Sequence, residues 1–359
     1  MVKLGFLGAG IISECHYYAV EKLKNIQIAA IASIDADDEK TAKKYKAKFY
    51  KDYKKLLNKE KKLDGIVIAL PNFMHCEAAE YAINAGHKNI LCEKPLARNP
   101  EEAGRVVKLV REKDVLFQTA YMKRFNPGFR LMKESLPQIG EIEFVTAGIF
   151  SGGSDPETVR RNSGQKPKGG TWHNDPELSG GGFLAHSGSH HIDLLRYLFG
   201  DIKSVECKLR FIYGVNDDYF VNGKLHTNDG VEITMRLGRV DVGSMGPGWE
   251  PLHKQAWNEF VEVIGTKGYL RVDNPNWRGW DVMKFTRWIS GMAGPETRQL
   301  DCAEQWVNEF AAFSESCETG KLAEQATTVV DGYRTDRILE QMRLSDKQDG
   351  KLIEVKYEW

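Results

Sequence analysis

The sequence predicts two architectures in succession: an α/β domain built on a doubly wound parallel sheet, then an α+β domain with a large, mainly antiparallel open sheet. Three observations carry this. Over the first 120 residues, short β-branched runs alternate with single helical stretches, the pattern of βαβ units. Those runs are apolar almost continuously, as expected of strands covered on both faces. Beyond residue 124 the alternation stops, and strand-like runs are separated by long connections. A chain of 359 residues accommodates two cores. The boundary is placed near residue 120, giving domains 1–120 and 121–359.

In chain order, strands are expected over 2–7, 27–34, 65–70, 89–92 and 115–119, with helices over 11–23, 37–47, 75–85 and 100–112. A helix over 127–135 then precedes a strand over 141–149 whose alternation implies one wet face. Residues 151–182 hold eight glycines, three prolines and no sustained periodicity. So long an irregular segment in a compact domain is usually functional or mobile. A helix over 189–199 follows, then strands over 202–213, 231–237, 260–265 and 268–272. Helices over 303–318 and 325–345 and a strand-like tail over 352–357 finish the chain.

Composition removes several function classes. Fifty Lys and Arg balance fifty Asp and Glu, so the molecule as a whole offers no field that would draw a nucleic acid. No apolar run approaches the ~18 residues that span a bilayer. The apolar start, residues 4–12, reads as a buried strand rather than a leader, because Glu14 and His16 follow at once and no small-x-small cleavage site is visible. Cys15, Cys76, Cys92, Cys207, Cys302 and Cys317 are scattered without a C-x-x-C pair, which reads as reduced thiols in a cytoplasmic protein. Residues 40–62 carry eleven lysines against Asp52 and Glu60. Tyr45, Phe49, Tyr53, Leu56 and Leu57 keep an inner face there, so the run reads as a solvated helical surface.

The sharpest local signal is Gly8-Ala9-Gly10-Ile11-Ile12-Ser13, directly after the first strand and opening the first helix. Gly8 permits a tight turn, and Gly10 lets the backbone approach a pyrophosphate closely. The helix start at Ile11 and Ile12 supplies N–H donors and the positive end of a dipole. Ser13 stands where a third small residue is needed for helix–strand packing. Asp35, at the end of the second strand, is placed to bond the adenosine ribose hydroxyls of a dinucleotide. Asp37 and Asp38 add negative charge and no arginine lies in that turn, so NAD is expected over NADP. The alternative is a Rossmann-like domain that holds no cofactor. Two further strand ends carry polar clusters: Pro71-Asn72 with His75 one turn later, and Glu93-Lys94-Pro95. Ligands of open parallel sheets sit at such ends. Glu93 and Lys94 need partners there, which cofactor hydroxyls would provide; for Glu93 alone, a surface ion pair is the alternative.

These residues, together with Arg124-x-x-Pro127, resemble the glucose–fructose oxidoreductase / inositol dehydrogenase / rhizopine-catabolism (Gfo/Idh/MocA) family. The second half is similar as well, through Trp172-x-x-Asp175-Pro176, the run Gly180-Gly181-Gly182-x-Leu184, and Gly188-x-His190-x-x-Asp193. Ile264-Gly265-Thr266-x-Gly268 resembles a late turn of the family's large sheet. The resemblance implies an N-terminal Rossmann domain and a C-terminal open sheet for substrate binding and oligomerisation. It implies oxidation or reduction of one carbon of a sugar, polyol or derivative with NAD(P), and places Arg124 and Trp172 beside the cofactor. Of the family's proton-handling residues, the lysine corresponds to Lys94 and the histidine to His190. His186 occupies the position of the family's aspartate, and His173 a position that is commonly arginine. Both are departures, the second near the cofactor.

The chemistry remains coherent with these residues. A neutral histidine near its free pKa of ~6.5 is a suitable base, so His190 is assigned that role. Lys94, held charged, would stabilise a developing alkoxide. His173, His186 and Asp193 are assigned to the substrate, with Asp193 alternatively orienting a histidine. His186 and His190 lie at i, i+4, but no third ligand is evident, so no metal is expected. Five of the eight tryptophans fall between Trp249 and Trp288, read as interface or core ahead of sugar contacts. With an open sheet to cover, a homodimer or homotetramer is expected. The leading function is an NAD-dependent dehydrogenase of a sugar, inositol or related polyol. A glycoside-cleaving enzyme that uses transient oxidation and elimination is the alternative, ahead of a non-catalytic NAD-dependent sensor.

Overall fold

The computed structural model describes residues 1–152, 172, 176–211, 218–240, 257–273, 275 and 282–358. The chain forms two compact units. The first combines Met1–Phe125 with Glu304–Asp336, the second Asn126–Ala303 with Arg337–Glu358. The division expected near residue 120 is a single cut, whereas each unit is built from two stretches of chain.

The first unit holds a six-stranded sheet in the order β3-β2-β1-β4-β5-β6, every neighbouring pair parallel. Its strands are β1 (Val2–Leu7), β2 (Ile26–Ala32), β3 (Lys48–Tyr50), β4 (Gly65–Ile68), β5 (Asn89–Glu93) and β6 (Leu116–Ala120). The helices between them are α1 (Ile11–Lys22), α2 (Glu39–Lys44), α3 (Tyr53–Lys59), α4 (His75–Asn84) and α5 (Pro100–Lys113). Every residue of β4 is buried, and only Lys3 of β1 is exposed. This is the continuous apolar run of a doubly covered sheet. Winding reverses between β1 and β4, which makes their carboxyl ends the switch point where ligands of such sheets sit.

The lysine-rich run is not one helical surface. It is divided into α2, the edge strand β3 and α3. A three-residue edge strand with one exposed lysine leaves no apolar run to read. Its lysines meet acids from neighbouring elements: Lys44–Glu21 at 2.7 Å, Lys48–Glu60 at 2.8 Å and Lys54–Glu77 at 2.6 Å.

The second unit is organised by nine strands in the order β14-β13-β12-β11-β7-β10-β9-β8-β15. They are β7 (Ile142–Gly152), β8 (Ile202–Phe211), β9 (Asp218–Thr227), β10 (Glu232–Val240), β11 (Trp257–Gly265), β12 (Gly268–Asp273), β13 (Met283–Ile289), β14 (Glu296–Leu300) and β15 (Ile353–Glu354). Only β7 and β10 pair in parallel; the other neighbouring pairs are antiparallel. The helices are α6 (Pro127–Ser135), α7 (Pro176–Ser179), α8 (Ser189–Phe199), α9 (Glu304–Thr319) and α10 (Val329–Lys347), of which α9 and the start of α10 belong to the first unit. One sheet face packs Val145, Val221, Met235 and Val261 against Phe129 of α6, Leu195 of α8 and Leu339 of α10. The alternate strand positions leave Phe144, Phe150, Phe220, Ile264 and Trp288 exposed.

Among the described residues, no helix is long and apolar enough to cross a membrane. All six cysteines are free thiols.

Candidate active site

The β1–α1 turn shows why two glycines are needed, each for its own reason. Gly8 has φ +101°, and a Cβ there would lie 2.7 Å from the Ala69 carbonyl carbon, so both the backbone and the approach of the β4 end exclude a side chain. Gly10 caps α1 with ordinary extended dihedrals and no side-chain hydrogen bond. A Cβ built on it meets nothing within 4 Å. Its lack of a side chain therefore keeps open the space in front of the helix start, where the amides of Ile11 and Ile12 lack intrahelical partners. A pyrophosphate fits that cradle. Ser13 is fully buried and donates its hydroxyl to the Gly8 carbonyl at 3.3 Å, so the third small residue ties the turn to the helix.

At the end of β2, Asp35 is exposed and caps a short 3-10 turn, Ala36–Asp38, by accepting the Asp37 N–H at 2.9 Å. The Ser33 hydroxyl donates to the largely buried Asp38 carboxylate at 2.6 Å and accepts the Asp35 N–H at 3.2 Å. The carboxylates of Asp35 and Asp38 are thereby held in one turn, with Asp37 between them. Of the three acids, Lys40 approaches Asp37, at 3.4 Å.

The ends of β4 and β5 are joined by one side chain. His75, at the start of α4, places Nδ1 2.8 Å from the Pro95 carbonyl and Nε2 2.8 Å from the Leu70 carbonyl. Burial pulls its pKa down, although both carbonyls favour the charged ring. Pro71 opens the 3-10 turn Asn72–Met74, in which Asn72 is buried. Both ring nitrogens of His75, expected beside the cofactor, thus lie within 2.8 Å of backbone carbonyls of the two loops.

Glu93 finds partners within the protein. Its Oε1 lies 2.9 Å from His16 Nε2 on α1, and its Oε2 accepts the Lys94 N–H at 3.1 Å. Burial would raise the Glu93 pKa, but the His16 bond and the charges of His16, Lys94 and His75 outweigh it and hold the carboxyl below its usual value. Lys94 is half-buried and precedes the cis proline Pro95. Desolvation pulls its ammonium down to about 8, against the nearby Glu93 charge and helped by Lys123. Arg124 lies in the following 3-10 turn, Met122–Phe125, and reaches Asp331 of α10 at 3.2 Å. Asp331 in turn accepts from Thr328.

In the second unit, the glycine run is a clasp around two long-range partners. Gly180 and Gly181 have φ +80° and +125°, and a Cβ at Gly181 would lie 2.7 Å from Arg343 Cζ. Arg343 of α10 donates to the Gly180 carbonyl at 2.5 Å. Asp218 of β9 is buried and accepts the Gly182 N–H at 3.0 Å and the Leu184 N–H at 2.6 Å. Burial raises its pKa despite these donors and Arg343. Asp218 thereby satisfies two amides at the start of a π-helical turn, Leu184–Gly188, which runs directly into α8.

That turn carries His186, half-buried, with its ring 6.2 Å from the Trp172 ring. His190, also half-buried, lies in the first turn of α8. His191 is fully buried, its Nδ1 3.7 Å from the equally buried Glu259 of β11. Asp193 is fully buried 4.0 Å from Arg196, one turn along α8. His173 and Asp175 lie outside the described residues. Among the described residues, no group of three His, Cys, Asp or Glu is gathered that could hold a metal ion.

His16, Asp218 and Arg343 escaped the sequence reading. Only His16 carried a local signal, as an isolated polar residue on the inner face of an apolar helix. Asp218 and Arg343 act over 36 and 163 residues.

The description "Oxidoreductase family, NAD-binding Rossmann fold" matches residues 2–121, and "GFO/IDH/MocA C-terminal domain" matches residues 138–271. The chain is 28% identical over 203 residues to the glucose-6-phosphate 3-dehydrogenase of Bacillus subtilis, a match covering 55% of this chain and 54% of that enzyme. It is 25% identical over 289 residues to the myo-inositol 2-dehydrogenase of Thermotoga maritima, covering 76% and 75%. In fold, it is similar to an NAD-binding oxidoreductase from Klebsiella pneumoniae, with a TM-score of 0.79 at 20% identity over 99% of each chain. The two matched domains account for most of the chain, and the protein belongs to the Gfo/Idh/MocA family of oxidoreductases, with an NAD-binding Rossmann domain at its N-terminus.

Proposed function

We propose that the chain is an NAD-dependent dehydrogenase that moves hydride between the nicotinamide and a secondary alcohol or ketone carbon of a sugar, inositol or related polyol. The observation that carries this reading is Lys94, a half-buried ammonium lowered to about 8, at the carboxyl end of a sheet strand in a domain of NAD-binding type. The named relatives act on a phosphorylated glucose and on an inositol, which supports the substrate class.

Gly8, Gly10, Ile11 and Ile12 would hold the pyrophosphate and Asp35 the ribose hydroxyls, with Pro71, Asn72 and Trp172 further along the cofactor. The negative charge of Asp35, Asp37 and Asp38 opposes a 2′-phosphate, so NAD is preferred. Bound NAD supplies the hydride acceptor. Lys94 remains mostly charged at neutral pH and stabilises negative charge on the substrate oxygen. His190 takes the hydroxyl proton as a neutral imidazole, and His186, beside Trp172, contacts the substrate next to it.

The test is NADH formation at 340 nm across a panel of polyols, sugars and ketosugars, with chromatography for released products. Net NADH with at least one sugar or polyol is expected. Product release without net NADH would replace this reading with glycoside cleavage. Binding of NAD without turnover of any compound would replace it with a sensor.

The exposed Phe144, Phe150, Phe220, Ile264 and Trp288 on one sheet face support self-association as a homodimer or homotetramer. Six free thiols suit a reducing compartment such as the cytoplasm.

A further inference from the structure

His16 lies six residues past Gly10, on the inner face of α1, and is fully buried. Three rings surround it: Phe6, Trp306 and Phe310, with centroids 6.4, 5.8 and 5.1 Å away. An apolar residue would fill that space at lower desolvation cost, unless a ring nitrogen has a task. Its Nε2 lies 2.9 Å from Glu93 Oε1, while Glu93 Oε2 accepts the backbone N–H of Lys94 at 3.1 Å. A single buried carboxylate therefore links the pyrophosphate-binding helix to the lysine.

We propose that His16 is a positioning residue for Lys94: its Nε2–H keeps Glu93 ionised and oriented, and Glu93 sets the placement and charge state of the lysine. This rests on the reading of Lys94 as the cation of the site and names what governs it. The charged and titratable groups facing Glu93 are His16 from α1, Lys94 on its own strand end and His75 from α4; those acting on Lys94 are Glu93 and Lys123. Without the His16 bond, burial favours the protonated carboxyl. The negative charge beside Lys94 then disappears, and the amine gives up its proton more readily.

The test needs no substrate. The full chain and its His16→Leu, His16→Gln and Glu93→Gln variants are acylated with acetic anhydride at pH values from 6 to 10. Modification of Lys94 is measured by peptide mass spectrometry against an exposed lysine in the same digest. Loss of an adjacent opposite charge is worth about one pH unit or more. The Lys94 profile of His16→Leu should therefore move down by about that much, raising its reactivity at pH 7 about fivefold. His16→Gln, whose amide can still donate to Glu93, should restore the parent profile. Glu93→Gln should reproduce the downward shift even if His16→Leu does not fold. A folded, NAD-binding His16→Leu with an unmoved profile, or a Glu93→Gln profile identical to the parent, would overturn the proposal. Failure of the parent protein to oxidise any sugar would count against the dehydrogenase reading alone, because acylation reports on Lys94 whatever the reaction.

Discussion

Replacing Lys94 with methionine should stabilise the folded protein near neutral pH, and the gain should vanish in alkali. Burial brings the Lys94 ammonium from the usual 10.5 to about 8. The folded chain then binds fewer protons than the unfolded chain between those values. Stability thus rises with pH across that window, and the full penalty of the buried charge is felt below it. A fall of that size corresponds to about 3 kcal/mol. Lys94 is only half-buried, and solvent screening reduces this to ~1–2 kcal/mol. Methionine keeps the apolar stem and removes the charge. In a unit of this size, such a change moves Tm by ~2–8 °C. Calorimetric scans of both proteins from pH 6 to 10.5 should show the variant melting higher at pH 6–7, with the gap closing toward pH 10.5. A variant that melts lower at pH 7, or a gap that does not depend on pH, would refute the assignment of Lys94 as a desolvated cation.

Other consequences follow from the same geometry. Gly8→Ala should cost ~2 kcal/mol or more, because it combines a left-handed backbone with a collision at Ala69, whereas Gly10→Ala should melt like the parent yet bind NAD at least tenfold more weakly; equal effects in calorimetry and NAD titration would contradict this separation. The parent should bind NAD more tightly than NADP, and Asp35→Ser should narrow the ratio; equal affinities in the parent would end the argument from the acidic turn. His190→Ala should remove the ascending limb of the pH–rate profile, while His186→Asp, which introduces the residue usual in the family, should change substrate preference or pH optimum and leave NAD binding intact. If His190→Ala keeps that limb and His186→Ala loses it, the base is His186. Light scattering at micromolar concentration should give a dimer or tetramer, and a 40.6 kDa monomer would contradict the reading of the exposed sheet face.

The parts legible in the sequence were those written in local pattern. Continuous apolar runs gave β1, β4 and β5, and the β1–α1 glycines gave the cofactor turn, because each signal lies within a few residues. The second unit yielded less. β9 carries Gly223 and several polar residues in a strand covered on one face, and β13 and β14 have largely half-wet sides, so none forms an apolar run. The return of α9 to the first unit was also hidden, since an amphipathic helix states that it needs a core and not which one. The same limit applied at the site. Lys94 was visible beside its strand end, but nothing local marked the carbonyls held by His75, the Asp218 cap or the Arg343 contact at Gly180.

The central claim, that this chain transfers hydride to NAD with Lys94 as the cation at the substrate oxygen, is tested most directly by comparing NADH formation in the parent and in Lys94→Ala. Both proteins are held at saturating NAD with the best polyol or sugar found in the panel. The parent should give steady net NADH, and turnover in the variant should fall by ~100-fold or more with NAD affinity within about twofold. A variant that keeps most of its turnover, or one that loses turnover only because NAD no longer binds, would contradict it.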